Sequence, residues 1–562
     1  MADYFTATRL SWAVGIVLVT LVGRFLQRLH KQRGMVKGLP GPPHSYIWGH
    51  LRAFDYVLRK QPKRAAPQTF AIFLKEEYNL PDVFYVDVWP MGDPILMIFD
   101  TDVMAEITVK NSLPKHIEVD KFLQNFGGPG NLVSSEGALW KCKRKWRSAF
   151  NPGFSAAHLM SLVPVMLDEG QIFVDILKKR VRNNEVFRVE RDTTRLTVDI
   201  IGKVVLDVDL ASQKGYNELV DAFMQQVRWQ RVGVQFNPIE IIDWPLRDAV
   251  QTYYNWKMDR YIGNAIDRRF ASREGRGKSK AVIDLALEAY LKEVKGATGE
   301  VDLSKVKGID PEFRKAAVNN MKTFVFAGHD TTSSTLCYAY YYLSKYPDCL
   351  AKIRKEHDDV FGPDPSAVTE QLREDPRLLN RLEYTLAVMR EVLRMQPPAS
   401  TIRAGIKGFF VHDPKTGEAM PTDGFMLWPV DVGLHRHSRY WPEPNEFRPE
   451  RHLHSTSAHG EKQDDSANFA SNPAWVAFSK GIRNCIGQEL AVIETKVILA
   501  MTIRTFDFHA AFDELDKLKD DGSGYPSDSQ GIQEQFGDEA YQIQLGTAKP
   551  REGMPCRVSL RS

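Results

Sequence analysis

Phe478-Ser479-Lys480-Gly481-Ile482-Arg483-Asn484-Cys485-Ile486-Gly487 sets one cysteine between glycines at the start of a helix. The pattern suits a single unpaired thiolate that ligates iron. A cysteine ligand has to be deprotonated, and backbone N–H groups, a helix N-terminus and a nearby cation each lower a thiol pKa. Gly481 and Gly487 let the backbone fold tightly beneath a bound group, Phe478 shields the sulfur, and Arg483 is placed to reach an anion. The chain has five cysteines, Cys142, Cys337, Cys349, Cys485 and Cys556. They are odd in number and lack CxxC spacing, which argues against a disulfide framework or a zinc site.

Working outward, Ala327-Gly328-His329-Asp330-Thr331-Thr332 lies in the middle of a long apolar-periodic pattern from Glu312 to Tyr346. Ala327 and Gly328 are small enough to open a groove in such a helix. Thr331, one turn after Ala327, can bond back to that carbonyl or turn toward a ligand in the groove. Glu391-Val392-Leu393-Arg394 puts an acid and a base on one helical face. Arg451, in Phe447-Arg448-Pro449-Glu450-Arg451-His452, is the candidate third member of that group. Burying these charges is costly unless all are hydrogen-bonded, so the role read here is structural. Trp140-Lys141-Cys142-Lys143-Arg144 adds an indole and a guanidinium one helical turn apart.

Together these strings resemble the cytochrome P450 family, and they occur in its order along nearly the whole chain from Lys37 onward. The resemblance implies a mainly α fold with small β-sheets, preceded by one N-terminal membrane-anchor helix. It implies haem b as cofactor, with Cys485 as axial iron ligand and Trp140, Arg144, Arg403, Phe478, Gly481, Arg483 and Gly487 around the haem. In that reading Thr331 holds the distal oxygen and water, Asp330 helps relay protons, and Glu391, Arg394 and Arg451 lock the region behind the cysteine loop. The usual family string ends in an aromatic where this chain has His452. His435 is as readily a core residue as a propionate contact. The implied reaction inserts one atom of O2 into a substrate C–H bond, helped by a thiolate that pushes electron density onto iron.

The chain carries no GxGxxG fingerprint and no fused reductase tail, so electrons come from outside. The resemblance implies an NADPH-cytochrome P450 reductase, with cytochrome b5 as a second donor. Lys141, Lys143, Lys145, Arg147 and Lys480 offer a basic docking face. The substrate pocket is expected from Phe122, Phe126, Phe324, Phe326, Ala327 and Ile402, with the turn near Gly546, and is apolar and partly aromatic. His44-Ser45-Tyr46-Ile47-Trp48-Gly49-His50-Leu51 and the ending from Gly546 to Pro555 look like fungal members that oxidise secondary metabolites, of the sterigmatocystin and aflatoxin polyketide type. A terpenoid substrate, desaturation or epoxidation stays open within the same fold. A haem-thiolate isomerase would keep Cys485 but dispense with Asp330 and Thr331, and a non-catalytic haem binder needs no groove.

A chain of 562 residues with 43% apolar content buries a large core, and motifs running from Trp140 to Cys485 require one compact unit. A net charge of +3 without a basic stripe argues against nucleic acid as a partner. Leu10 to Leu26 is apolar apart from Ser11, Thr20 and Arg24, near the lower length limit for a single membrane span. Arg28, Lys31, Arg33 and Lys37 follow and place the downstream chain on the cytoplasmic side, which in microsomal members is the outer face of the endoplasmic reticulum. Residues 1–37 are therefore read as anchor and basic flank, 38–43 as a proline-rich hinge that lifts the body off the membrane, and 44–562 as one catalytic domain. A hairpin is expected from Val83 to Phe99, a small terminal sheet from Ala540 to Leu560, and surface insertions from His454 to Ser471 and Lys517 to Gly537.

Overall fold

The helix Pro311–Lys345 organises the molecule. Asp310 starts it by accepting the N–H groups of Glu312 and Phe313, and Pro311 fills the first turn, where its missing N–H is no loss. Its 35 residues make it about 52 Å long. Apolar on nearly every face, it runs through the core rather than over it. Its buried tyrosines stay satisfied: Tyr338 donates to Ala540 O at 2.9 Å, Tyr342 to Asp538 Oδ2 at 3.0 Å, and Tyr340 meets Thr502 Oγ1 at 2.8 Å. This computed structural model describes residues 2–129, 131–136, 146–230, 246–271, 281–293, 309–453, 472–518 and 531–561. Trp140, Arg144, Lys141, Lys143 and Lys145 lie outside the described residues, as does the insertion from His454 to Ser471 and the middle of the one from Lys517 to Gly537.

Small sheets flank the helical body. Val83–Val86 and Ile95–Ile98 pair antiparallel as the expected hairpin, with Val83 opposite Ile98. Met426–Pro429 joins Ile95–Ile98 in parallel, and Arg403–Ala404 closes that sheet. The terminal region forms a hairpin of Gln542–Leu545 with Thr547–Pro550, turned at Gly546, and the strand Pro555–Leu560 pairs with Phe506–Ala510. The apolar pattern from Ala156 to Val181 breaks at Leu162 into two helices, because Pro164 belongs in a first turn.

At the N-terminus a helix runs Ala2–Val36, and Trp12–Val36 is long and apolar enough to cross a membrane. Its outer part is exposed, whereas Leu29, Arg33 and Val36 share one face that packs on the body. Arg33 pairs with Asp87 at 2.5 Å and donates to the carbonyls of Tyr46, Ile47 and Trp89. Phe25 packs on Trp89 with ring centroids 5.0 Å apart. The stretch from Gly38 to Pro43 does not form a free joint. Tyr85 N–H donates to Pro40 O at 2.8 Å, and a Cβ on Gly41 would come within 2.5 Å of the Tyr85 carbonyl oxygen. A fully buried Asp87 needs a cation, and Arg33 supplies it, so the last turns of the helix are docked on the body.

Candidate active site

The cysteine loop is a tight double reversal. Ser479 N–H donates to Val476 O at 2.7 Å, Asn484 N–H to Gly481 O at 3.1 Å and Cys485 N–H to Phe478 O at 2.9 Å. Gly481 sits at φ +79°, and a Cβ there would meet the Thr108 carbonyl oxygen at 2.9 Å, so both the turn and the close neighbour demand glycine. Gly487 precedes the helix Gln488–Thr502. Its N–H is directed at the Cys485 sulfur, and Arg147, which donates to Asn484 O and Oδ1 at 2.8 Å, lies nearby. Cys485 is accessible yet deep in the protein, the combination that a hollow produces. Burial pushes its thiol pKa up and the Gly487 N–H and Arg147 pull it back, leaving it above the ordinary value. A bound cation would deprotonate it outright.

The central helix opens at one place. Between Met321 and Leu343 every residue is buried except Ala327, Gly328 and Thr331, which share a face. Thr331 Oγ1 donates back to Ala327 O at 2.8 Å. Gly328 also serves packing, because a Cβ there would press on Ile201 Cδ1 at 3.0 Å. Asp330 points elsewhere. Its Oδ2 accepts the Thr547 N–H at 2.8 Å and its Oδ1 lies 2.6 Å from Lys549 Nζ. Burial alone would raise the Asp330 pKa, but Lys549, His329 and the Thr547 N–H hold it below the ordinary value. Phe122, Phe126 and Phe326 form an aromatic wall, with Phe126 and Phe326 stacked at 4.0 Å. Phe324 instead packs edge-on against Phe150 and Phe154 on another side of the helix, and Ile402 is half-buried.

A cationic cradle lies where four distant segments meet. Lys115 and Arg403 pair as backbone neighbours, Lys115 Nζ donates to Thr401 Oγ1 at 2.5 Å, and Arg483 donates to Ser135 O and Glu136 at 3.0 and 2.8 Å. Arg403 is fully buried, yet none of its three guanidinium nitrogens has a hydrogen-bond partner among the described residues. Burial and the neighbouring guanidiniums push Lys115 down to about 7 and Arg403 to about 10. Orphaned buried donors with excess positive charge call for an anion, and the two carboxylates of a haem fit that requirement. Sequence reasoning missed Lys115, whose surroundings carry no motif.

Behind the loop, Glu391 accepts five donors: Arg394 Nη2, Arg448 N–H and Arg451 Nε on Oε1, at 2.9, 2.9 and 3.0 Å, and Arg394 Nε and His452 Nε2 on Oε2, both at 2.8 Å. Burial opposes the ionised form, but Arg394 and His452 override it and hold the carboxyl well below the usual carboxylate range. Arg394 also donates to the His435 carbonyl at 2.6 Å, and His435 Nε2 accepts the Val476 N–H at 2.9 Å. His435 is thus a core strut between this network and the cysteine loop.

The sequence profile of the family described as cytochrome P450 matches residues 42–533. The chain is 37% identical to cytochrome P450 monooxygenase polC of Polytolypa hystricis, over 98% of this chain and 96% of that protein. It is 36% identical to cytochrome P450 monooxygenase acrF of Aspergillus aculeatus, over 90% and 99%. Among solved structures, the crystal structure of the cytochrome P450DA heme domain aligns with a TM-score of 0.66 at 21% identity, covering 93% of this chain and 97% of that one. Membership brings haem b held by a cysteine thiolate, an electron-donating partner and a small-molecule substrate. With a profile match over most of its length and near full-length monooxygenase relatives, this chain belongs to the cytochrome P450 family and is a monooxygenase.

Proposed function

We propose that the accessible face of the central helix and the accessible thiol of Cys485 border one hollow that takes the haem, with Cys485 as iron ligand. The observation that carries this is the break at Ala327, Gly328 and Thr331 in an otherwise buried helix. When bound, the haem supplies the oxidising chemistry that inserts one oxygen atom of O2 into a C–H bond. The chain's own residues orient the reactants. Arg403, Lys115 and Arg483 neutralise the haem carboxylates, together with Trp140 and Arg144. Phe478, Gly481 and Gly487 shape the sulfur's surroundings. Thr331 Oγ1, free to leave its bond to Ala327 O, holds a proton at the open face, and Asp330 on the same helix helps relay protons to it. Glu391, Arg394 and Arg451 hold the loop.

The substrate is apolar, bounded by Phe122, Phe126 and Phe326, and we infer a polyketide of fungal secondary metabolism. The fungal origin of the two monooxygenase relatives supports a place in fungal metabolism, while the polyketide class rests on the sequence resemblance and the aromatic wall. Electrons come from NADPH-cytochrome P450 reductase, with cytochrome b5 as accessory donor, docking beside Arg147 and Lys480. Residues 1–37 anchor the chain in the endoplasmic reticulum membrane as a single pass, and 44–562 form one cytoplasmic catalytic domain. The test is the carbon monoxide difference spectrum of the reduced protein, wild type and Cys485→Ser, followed by a spectral binding panel of polyketides and terpenoids with reductase. The expected result is the red-shifted thiolate band, lost in the variant, and binding by polyketides. Retention of that band in Cys485→Ser would refute the ligand, and binding by terpenoids alone would refute the substrate class.

A further inference from the structure

Tyr46, Ile47 and Trp48 are three consecutive exposed side chains beside the end of the N-terminal helix. Lone exposed apolar residues are ordinary, but a run of three on one turn marks a contact surface. Ser45 and Gly49 close the turn by exchanging backbone hydrogen bonds at 2.9 and 2.6 Å. The turn is also tied to the helix. Arg33 donates to the carbonyls of Tyr46, Ile47 and Trp89 at 3.0, 2.9 and 3.1 Å while it pairs with the buried Asp87. His30 Nδ1 meets the Tyr46 hydroxyl at 3.2 Å. The seat is shaped to the guanidinium. Gly49 lies at φ +57°, and a Cβ on it would come within 2.7 Å of Arg33 Nη1 and 2.8 Å of the Asp87 carbonyl oxygen.

The helix gives this turn a height. It runs unbroken from Ala2 to Val36, and its apolar stretch ends at Leu26. Phe25 packs on Trp89, so the body reaches the edge of that stretch. At 1.5 Å per residue, His30 stands about 8 Å beyond Phe25 along the axis, and Arg33 about 12 Å. The headgroup region of a bilayer adds roughly 5–8 Å on each side of the hydrocarbon core. With Phe25 at the hydrocarbon edge, Tyr46 against His30 falls at headgroup depth for an upright helix, and any tilt brings it closer. Tyrosine and tryptophan favour that layer because each has an apolar body and a polar tip. Arg52, whose guanidinium lies 5.9 Å from the Trp48 ring centroid, adds a cation beside them for lipid phosphate.

We propose that Tyr46-Ile47-Trp48 is a second contact with the phospholipid surface, seated in the headgroup layer by Arg33, which pins the membrane helix and the body into one rigid unit. This rests on the reading of residues 1–37 as a single-pass anchor, and it replaces a tether with a strut. A tether after the helix would leave the body free to turn on the membrane. The pin forbids that, because Arg33 cannot leave without stranding a buried carboxylate at Asp87 and three backbone carbonyls that it satisfies. The body therefore holds one orientation, with the Tyr46 turn always against lipid.

The test uses the full-length, haem-loaded protein in phosphatidylcholine vesicles, with a fluorescent coumarin amino acid in place of Ile47. Vesicles carry a nitroxide either on the lipid headgroup or at the middle of the acyl chain, and quenching of the coumarin reports its depth. The backgrounds are otherwise unaltered protein, Arg33→Met and Arg33→Met/Asp87→Asn. In the unaltered background the headgroup nitroxide should quench severalfold more than the mid-chain one. In both pin variants headgroup quenching should fall severalfold, while flotation with the vesicles and the carbon monoxide spectrum stay unchanged. If Arg33→Met fails to fold, the double variant, in which no charge is left buried alone, carries the same readout. A floating protein without headgroup quenching, quenching strongest from mid-chain, or quenching that the double variant retains in full would each overturn the proposal. Loss of flotation in the unaltered background would instead refute the anchor, so the two failures are distinguishable.

Discussion

His452→Phe replaces the imidazole with an apolar aromatic ring, and the structure predicts a penalty that depends on pH. His452 is almost fully buried and donates through Nε2 to Glu391 Oε2 at 2.8 Å. A hydrogen bond to a charged group contributes about 1.5–3 kcal/mol. Phenylalanine recovers part of this through its larger apolar surface beside Trp441, and Glu391 keeps its four other donors. The net loss near neutral pH should be about 1–2 kcal/mol. Burial depresses the His452 pKa despite the attraction of Glu391. A depressed histidine gives stability that is present above its unfolded pKa of about 6.5 and is lost as pH falls toward the folded value, by up to about 1.4 kcal/mol per pH unit. The phenylalanine variant has no such group. The stability gap between wild type and variant should therefore narrow as pH drops below about 6.5. Thermal melting of the haem-loaded proteins across that range, followed by circular dichroism and by haem release, measures it. A gap that stays constant or widens toward acid would refute the assignment of His452 as a neutral donor to Glu391.

Two further substitutions test the cradle and the loop. Arg403→Met should stabilise the haem-free protein by about 1–3 kcal/mol, since it removes buried donors that have no partner among the described residues, yet weaken haem retention, because those donors are what a haem carboxylate would use; melting of the apoprotein and haem transfer to apomyoglobin should move in opposite directions. Gly481→Ala forces a side chain into a left-handed turn 2.9 Å from the Thr108 carbonyl oxygen, and should destabilise by about 1–3 kcal/mol and loosen haem, measured by unfolding and by the intensity of the thiolate carbon monoxide band.

The elements that sequence reasoning located are those whose chemistry is compressed into neighbouring positions. A thiolate ligand needs glycines, a shielding aromatic and a helix start within a few residues, so the loop from Phe478 to Gly487 is legible as a string. Glu391 and Arg394 are likewise set by helical spacing, and the hairpin from Val83 to Ile98 by alternation around a proline-rich turn. Spacing did not say where a side chain points. Phe324 and Phe326 are two residues apart on one helix, yet one packs on Phe150 and the other on Phe126. Asp330 and Thr331 are adjacent but face a buried lysine and an open groove, because successive helical residues are about 100° apart around the axis.

The amino-acid sequence by itself determined the family, through the resemblance of its motifs, and the long central helix and the apolar N-terminal segment, which rest on local periodicity. Tertiary structure alone decided which charges answer one another. Lys549 meets Glu190 from 359 positions away, the Thr547 N–H reaches Asp330 across 217, and Arg33 finds Asp87 across 54. Nothing in the one-dimensional pattern ties such residues together. They are selected by the folded interior, where a charge removed from water is tolerated only beside its opposite or where a bound group can supply one.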